Sequence, residues 1–273
     1  MNAPAHPSGD RTAIAAAAAA RLAAASRDRA ACPPVRDQIG TSDLALAYAV
    51  QQWLTEDRLA GGARIIGRKI GLTSPAVQEQ LGVDQPDFGV LFDDMDVSSL
   101  GAVPTRRLLQ PKVEAEIAFV LGADLDAPNL AIAQVRAAIK YAVAALEIVD
   151  SRITDWDITI TDTVADNASS GLFVLGTQHV PLDDFESRDV TMRMYVDGDL
   201  ASEGAGRACL GDPLNALLWL AETARDFGQP LTAGQVVLSG ALGPMVPVRP
   251  GVTVRAEISA LGSVQASFSD KDQ

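Results

Sequence analysis

The sequence predicts an α+β fold, with a helical N-terminal segment over residues 1–60 packed on a β-rich core over residues 61–273. Three observations carry this. Before Gly61-Gly62 the chain is dominated by helix formers in a helical stripe. After it come short β-branched and apolar runs, separated by Gly and Pro turns. No internal repeat or linker divides the 273 residues, so they are read as one domain overall.

Met1–Gly9, with Pro4, Pro7 and Gly9, is expected to be disordered. The Ala- and Arg-rich stretch Asp10–Ala31 predicts a helix, capped by Asp10 and ended by Cys32-Pro33-Pro34. A second helix is predicted over Ser42–Leu59, with Thr41 or Ser42 as cap and Leu44, Ala47, Tyr48, Gln51 and Leu54 as its stripe. Arg64–Gly71 reads as a strand and Ala76–Leu81 as a short helix. The loop Gly82–Gly89 leads back to the sheet over Gly89–Phe92. Lys112–Gly122 is the longest strand. Leu130–Leu146 has helical character, with a change to strand period at Leu146–Arg152. Asn167–Gly171 is a polar loop before a strand at Leu172–Gly176. Val190–Val196 is another strand, closed by the hairpin signal Asp197-Gly198. A helix follows at Leu214–Phe227. Strands are expected at Val236–Ser239, Met245–Val248, Val252–Ile258 and Gly262–Phe268.

Composition narrows the function. Twenty-two basic against 35 acidic residues give a net charge of −13, which disfavours nucleic acid as a partner. Two distant cysteines, Cys32 and Cys209, make neither a disulfide framework nor a metal pair. His6 lies in the tail and His179 beside Pro181, so a histidine triad or multi-histidine metal site is not expected. No run is long enough to span a membrane, and Ala13–Ala25 is broken by Arg21, so a cytoplasmic location is expected.

The chemistry centres on Lys112-Val113-Glu114-Ala115-Glu116-Ile117-Ala118-Phe119-Val120-Leu121. In a strand, Glu114 and Glu116 share a face, and the remaining positions are largely apolar on both faces. Two readings stand. In a buried strand, paired carboxylates must take up protons, find basic partners or hold a cation, and a hard divalent metal resolves both charges at once. On an edge strand, Lys112, Glu114 and Glu116 would simply be solvated. Lys69 lies among Ile66, Ile70 and Gly71, and is either a tuned or carboxylate-holding lysine or a solvated one. Asp84 and Asp87 sit in a Pro-containing loop, as turn caps or site residues. Glu147 or Asp150 could add a third carboxylate, or partner Arg152. Ser239-Gly240-Ala241-Leu242-Gly243-Pro244 is either a tight turn or a donor of N–H groups and a hydroxyl to an anion.

Four stretches taken together resemble the 2-keto-4-pentenoate hydratase and 4-oxalocrotonate decarboxylase group of the fumarylacetoacetate hydrolase superfamily. They are Gly67-Arg68-Lys69-Ile70-Gly71-Leu72-Thr73-Ser74, Gly82–Gly89, Pro111–Glu116 and Ala145–Arg152, within a likeness running from about Arg64 to Phe268. The resemblance implies the family's mixed β roll with surrounding helices. It implies Glu114, Glu116 and Glu147 as ligands of Mg2+ or Mn2+, Lys69 and Asp87 as catalytic residues, and Leu72, Asp84 and Ser239 at the substrate. Gly240–Pro247, and Gly204-Ala205-Gly206 before Cys209-Leu210-Gly211, are more similar to the hydratases.

The implied activity is hydration of 2-hydroxypenta-2,4-dienoate, or a substituted homologue, to a 4-hydroxy-2-oxo acid in aromatic meta-cleavage. Decarboxylation of 2-oxo-3-hexenedioate is the alternative, and cleavage of acylpyruvates a more distant one. The implied partners are a small 2-oxo acid, further copies of the chain, and a decarboxylase of the same pathway. A non-catalytic subunit of such a complex is the non-enzyme reading.

Overall fold

In a computed structural model of the protein, residues 9–74, 78 and 85–271 are described. Helix α1 (Gly9–Asp28) is followed by a short α2 (Arg36–Ile39) and by α3 (Leu44–Ala60). Alanines 15, 18, 19 and 25 are buried on α1 against Leu46, Ala47 and Val50 of α3. Side chains this small let two helices approach closely while burying apolar surface. The cap of α3 is Asp43, not the expected Thr41 or Ser42. Its carboxylate accepts from Leu46 N at 3.0 Å and also pairs with Arg11. Carboxylate capping satisfies a free helical N–H and complements the positive end of the helix.

The remaining chain forms two sheets. The larger, seven-stranded, has the order β2 (Asp87–Phe92), β1 (Ile65–Gly71), β9 (Val236–Leu238), β4 (Lys112–Leu121), β5 (Ile139–Val149), β6 (Ser170–Leu175), with β10 (Val246–Pro247) also on β4. The smaller, five-stranded, runs β3 (Val103–Pro104), β12 (Gly262–Ser269), β11 (Thr253–Ile258), β7 (Thr191–Val196), β8 (Asp199–Ala205). Strands β11 and β12 lie against β5. Helix α4 (Ile132–Ala138) packs on α6 (Pro213–Asp226), and α6 in turn on β1. Asp197 and Gly198 both have positive φ between β7 and β8, the backbone a two-residue hairpin turn requires.

One expectation is corrected. The helix predicted through Leu146 ends at Ala138, and Ile139–Val149 is strand β5. From Ala142 onward every residue of β5 is buried, and apart from Glu147 the run is apolar on both faces, so its periodicity favours neither state. The Asp- and Thr-rich stretch after Asp155 contains a further helix, α5 (Ile160–Ala165), with Asp162 accepting from Thr159 N at 2.9 Å. The helix expected over Ala76–Leu81 and the candidate Asp84 fall in residues 75–84, of which only Gln78 is described.

A second apolar cluster joins α1–α3 to Ile153 and to Ile160, Val164 and Ala165 of α5. Tyr48 of α3 packs against both clusters and stacks on Phe88 of β2 at 4.8 Å. The N-terminal helices are thereby fastened to the strand that carries Asp87.

Candidate functional site: a carboxylate row across one sheet face

Strand β4 is not an edge. It pairs with β5 along its whole length and with β9 and β10 on its other side. Glu116 is fully buried and Glu114 half-buried, so the solvated-edge reading fails. In the β4–β5 register Glu114 stands directly opposite Glu147, and Glu116 lies two residues along on the same face. Directly opposed side chains have Cβ atoms about 5 Å apart, where like charges repel. One oxygen from each of Glu114, Glu116 and Glu147 falls within 4.8 Å of the others.

Lys69 closes the group from the far side, with Nζ 3.2 Å from Glu147 Oε1. In the sheet order, β1 and β5 are three strand spacings apart, roughly 14 Å in a flat sheet. A contact at 3.2 Å therefore requires the sheet to curl around the site, and β9, only three residues long, lies between. Asp87 pairs with Gly71 in the β1–β2 ladder and so faces the same way as Lys69. It is a strand residue, not the loop acid the sequence suggested. Thr163 Oγ1 donates to its Oδ2 at 3.4 Å. Gly71 is required here, because a Cβ at that position would stand 2.2 Å from Asp87 Oδ1.

Ser239 is fully buried just past β9. The next residue, Gly240, donates its N–H to Glu116 Oε2 at 2.8 Å. Gly240 has φ +109°, and a Cβ there would strike Thr73. Leu72, next to Gly71, has φ +55°, a costly conformation for a branched residue, and its carbonyl accepts from Gln78 Nε2 at 2.7 Å. Its side chain packs toward the N-terminal cluster.

Two expectations fall away. Asp150 does not join the acidic row, nor does it pair with Arg152. It accepts the backbone N–H groups of Leu109 and Gln110, at 3.0 and 2.7 Å. Arg152 is taken by Asp166, in α5's trailing turn. Lys112 shares the strand face of Glu114 but lies over the Trp156 ring, 4.2 Å from its centre. Sequence reasoning did not single out Thr73 or Thr163, whose roles depend on contacts between distant segments, whereas Gly240 lies in the stretch read as a tight turn or a donor of N–H groups to an anion.

The electrostatics follow from burial. Desolvation, then the Glu147 charge, pushes the Glu114 carboxyl up to about 7. The same causes, with Glu114 added, hold Glu116 well above the usual carboxylate range. Burial also raises Asp87, against the pull of Lys69. Lys69 is depressed by burial but raised more by Glu147, Asp87, Glu114 and Glu116, and its net direction is up, so it stays a cation. Four carboxylates facing one ammonium leave excess negative charge.

The hydrogen-bonding inventory points the same way. Glu116 Oε1, Glu147 Oε2, Asp87 Oδ1 and Ser239 Oγ are buried without a hydrogen-bond partner, and Glu147 Oε1 meets only the Lys69 ammonium. Buried polar atoms are nearly always satisfied, so the unmet oxygens of Glu116 and Glu147, gathered with Glu114 within 4.8 Å, mark a place for a positive ligand. An all-oxygen donor set fits Mg2+, Mn2+ or Ca2+ rather than zinc.

Comparison with known proteins identifies the family. Residues 74–269 match the family described as fumarylacetoacetate (FAA) hydrolase C-terminal. A Pseudomonas putida protein named TodF product hydratase is 55% identical over 259 residues, covering 95% of this chain and 97% of its own. A 2-keto-4-pentenoate hydratase of Paraburkholderia phymatum is 54% identical, over 92% of this chain and 96% of its own. Among solved structures, a 4-oxalocrotonate decarboxylase from Pseudomonas putida, complexed with magnesium and adipate, superposes with a TM-score of 0.90. It is 33% identical and covers 96% of this chain and 100% of its own. The chain thus belongs to the 2-keto-4-pentenoate hydratase and 4-oxalocrotonate decarboxylase group of the fumarylacetoacetate hydrolase superfamily.

Proposed function

We propose that the protein is a metal-dependent hydro-lyase that adds water to 2-hydroxypenta-2,4-dienoate, or a substituted homologue, to give a 4-hydroxy-2-oxo acid. The observation that carries this reading is the convergence of Glu114, Glu116 and Glu147, with unpaired buried oxygens, beside Lys69. It is supported by relatives of 52–55% identity over most of the chain that bear hydratase names.

In this reading Glu114, Glu116 and Glu147 hold Mg2+ or Mn2+, which would supply Lewis-acid stabilisation of negative charge on the substrate's C2 oxygen. The reaction moves the C2 hydroxyl proton away and adds a proton at C5. Water then delivers hydroxide to C4, and C3 gains the second proton. Lys69, buried and cationic, orients the acid and offsets charge as the dienol becomes the keto form. Asp87, with Oδ1 free and Oδ2 steadied by Thr163, accepts a proton from the attacking water. Ser239, with its hydroxyl free, and Leu72, through its backbone, line the substrate. Asp84 is proposed for the same role on the sequence resemblance alone.

The test is a metal-supplemented assay of 2-hydroxypenta-2,4-dienoate decay with product analysis. A 4-hydroxy-2-oxo acid supports the reading, and an unchanged substrate sinks it. The decarboxylase reading rests on the neighbour structure at 33% identity and predicts CO2 release from 2-oxo-3-hexenedioate. Self-association, and association with a pathway decarboxylase, are proposed with it. Sizing of the protein alone and with such an enzyme checks both.

A further inference from the structure

A second buried charge sits one residue from Lys69, on the opposite face of β1. Successive strand residues point to opposite sides of a sheet, so Arg68 is directed away from the carboxylate row. It is only 3% exposed. Nη1 donates to the Gly67 carbonyl at 3.1 Å and Nη2 to Gln229 Oε1 at 2.9 Å, while Nε has no partner. A guanidinium carries five N–H donors. Among the described residues no carboxylate pairs with it. Burial alone pulls its pKa down to about 10. A buried cation without a counter-charge is the arrangement proteins most avoid.

The surroundings are built to receive something. Beside Arg68 is a cavity of about 40 Å3, walled by Tyr48, Phe88, Phe227, Gln51 and Thr55. One water needs only ~10–15 Å3, so the space holds a small polyatomic or halide ion but no bulky one. Its wall groups leave the charge unanswered. The Gln51 amide donates to the Phe88 and Val164 carbonyls, and the Thr55 hydroxyl to the Gln51 carbonyl. Exposed Gln52 and Gln229 stand at the rim and give access from solvent.

We propose that Arg68 anchors a small monovalent anion, a halide or a carboxylate of formate size, in the cavity between α3, β1, β2 and the end of α6. The ion supplies the missing counter-charge and accepts from the guanidinium hydrogens that Gly67 and Gln229 leave unused. It also braces the wall formed by Phe88, the residue after Asp87, on which Tyr48 stacks. This proposal does not depend on the reaction assigned above, and its test reads no turnover.

The full-length protein is melted at constant ionic strength while sodium gluconate, whose anion is too large for the cavity, is replaced by sodium chloride or sodium formate. A saturable rise in Tm of about 3 °C at roughly ten times the Kd is expected with one or both small anions. A response to chloride alone assigns a halide, and to formate alone a carboxylate. The rise should be absent in Arg68→Met, which keeps an unbranched apolar stem. Wild-type crystals grown in bromide provide a reading that does not depend on the variant folding: an anomalous peak in the cavity beside the Arg68 guanidinium supports the site. Equal melting in all three salts overturns the proposal. So does a cavity with ordered water and no bromide peak, or a carboxylate from a second copy occupying it.

Discussion

Two groups of buried carboxylates in this protein have opposite fates. On β4 and β5, Glu116 and Glu147 retain oxygens with no hydrogen-bond donor. Around α5, Asp162 and Asp166 are just as deeply buried, yet both are answered. Asp166 accepts from Arg152 N at 2.9 Å and from Arg152 Nε at 2.5 Å. Asp162 accepts from Arg36 N at 2.9 Å and Arg36 Nη1 at 2.8 Å. Burial raises the carboxyl pKa in both groups, to about 6 at Asp166 and about 7 at Glu114. A raised pKa therefore does not separate site from scaffold here. Unmet acceptors do, because a scaffold carboxylate is stabilised by its own donors while a ligand-binding one leaves them to the ligand.

The comparison can be broken by substitution. The largest effect is expected for Glu116→Gln, which should lower metal-dependent kcat/KM by about 1,000-fold, roughly 4 kcal/mol, with the fold retained. Circular dichroism and a metal titration check it; full activity in chelator-treated buffer would remove Glu116 from the site. Arg152→Met should act in the opposite sense, on stability and not on metal affinity. It strands Asp166 without its partner, at about 3 kcal/mol by denaturant melting. Metal affinity falling while stability holds would reverse the two assignments. Lys69→Ala should reduce kcat by about 100-fold. A change confined to KM would leave Lys69 as a binding residue only.

The smallest effect sharpens the electrostatic half. In metal-free protein the Glu114 carboxyl holds its proton up to about pH 7, whereas in the unfolded chain it is lost near its ordinary value of 4.5. Between these values the folded state binds the extra proton. Stability should thus be greatest below about pH 4.5 for this group, and decline as pH rises toward 7. Metal binding competes with that proton, so added Mg2+ should raise Tm by more at pH 8 than at pH 5.5. Melting curves at the two pH values, with and without chelator, read both slopes. An equal metal effect at both would show that the cluster does not titrate.

Much of the architecture could be read locally. Helix α3, strand β1 and the β7–β8 hairpin follow from a stripe of apolar residues, a β-branched run and the Asp197-Gly198 turn, all contained within a few neighbouring positions. Strand β5 could not be read that way. Its residues from Ala142 to Val149 are buried on both faces, and a run without a polar side carries no period. Asp150 was equally ambiguous beside Glu147. Three residues of chain carry it off the strand, to the backbone of Leu109 and Gln110.

The amino-acid sequence by itself determined that Glu114 and Glu116 point the same way, since alternation along a strand is a property of the backbone alone. It also determined that Lys69 and Arg68 point apart. Only the tertiary structure decided that Glu147 faces Glu114, that Lys69 reaches Glu147 across a curled sheet, and that Arg68 has no acid beside it among the described residues. The reason is physical: register and sheet curvature are set by packing among segments far apart in the chain, and a charge acquires its meaning from what that packing brings within a few ångströms.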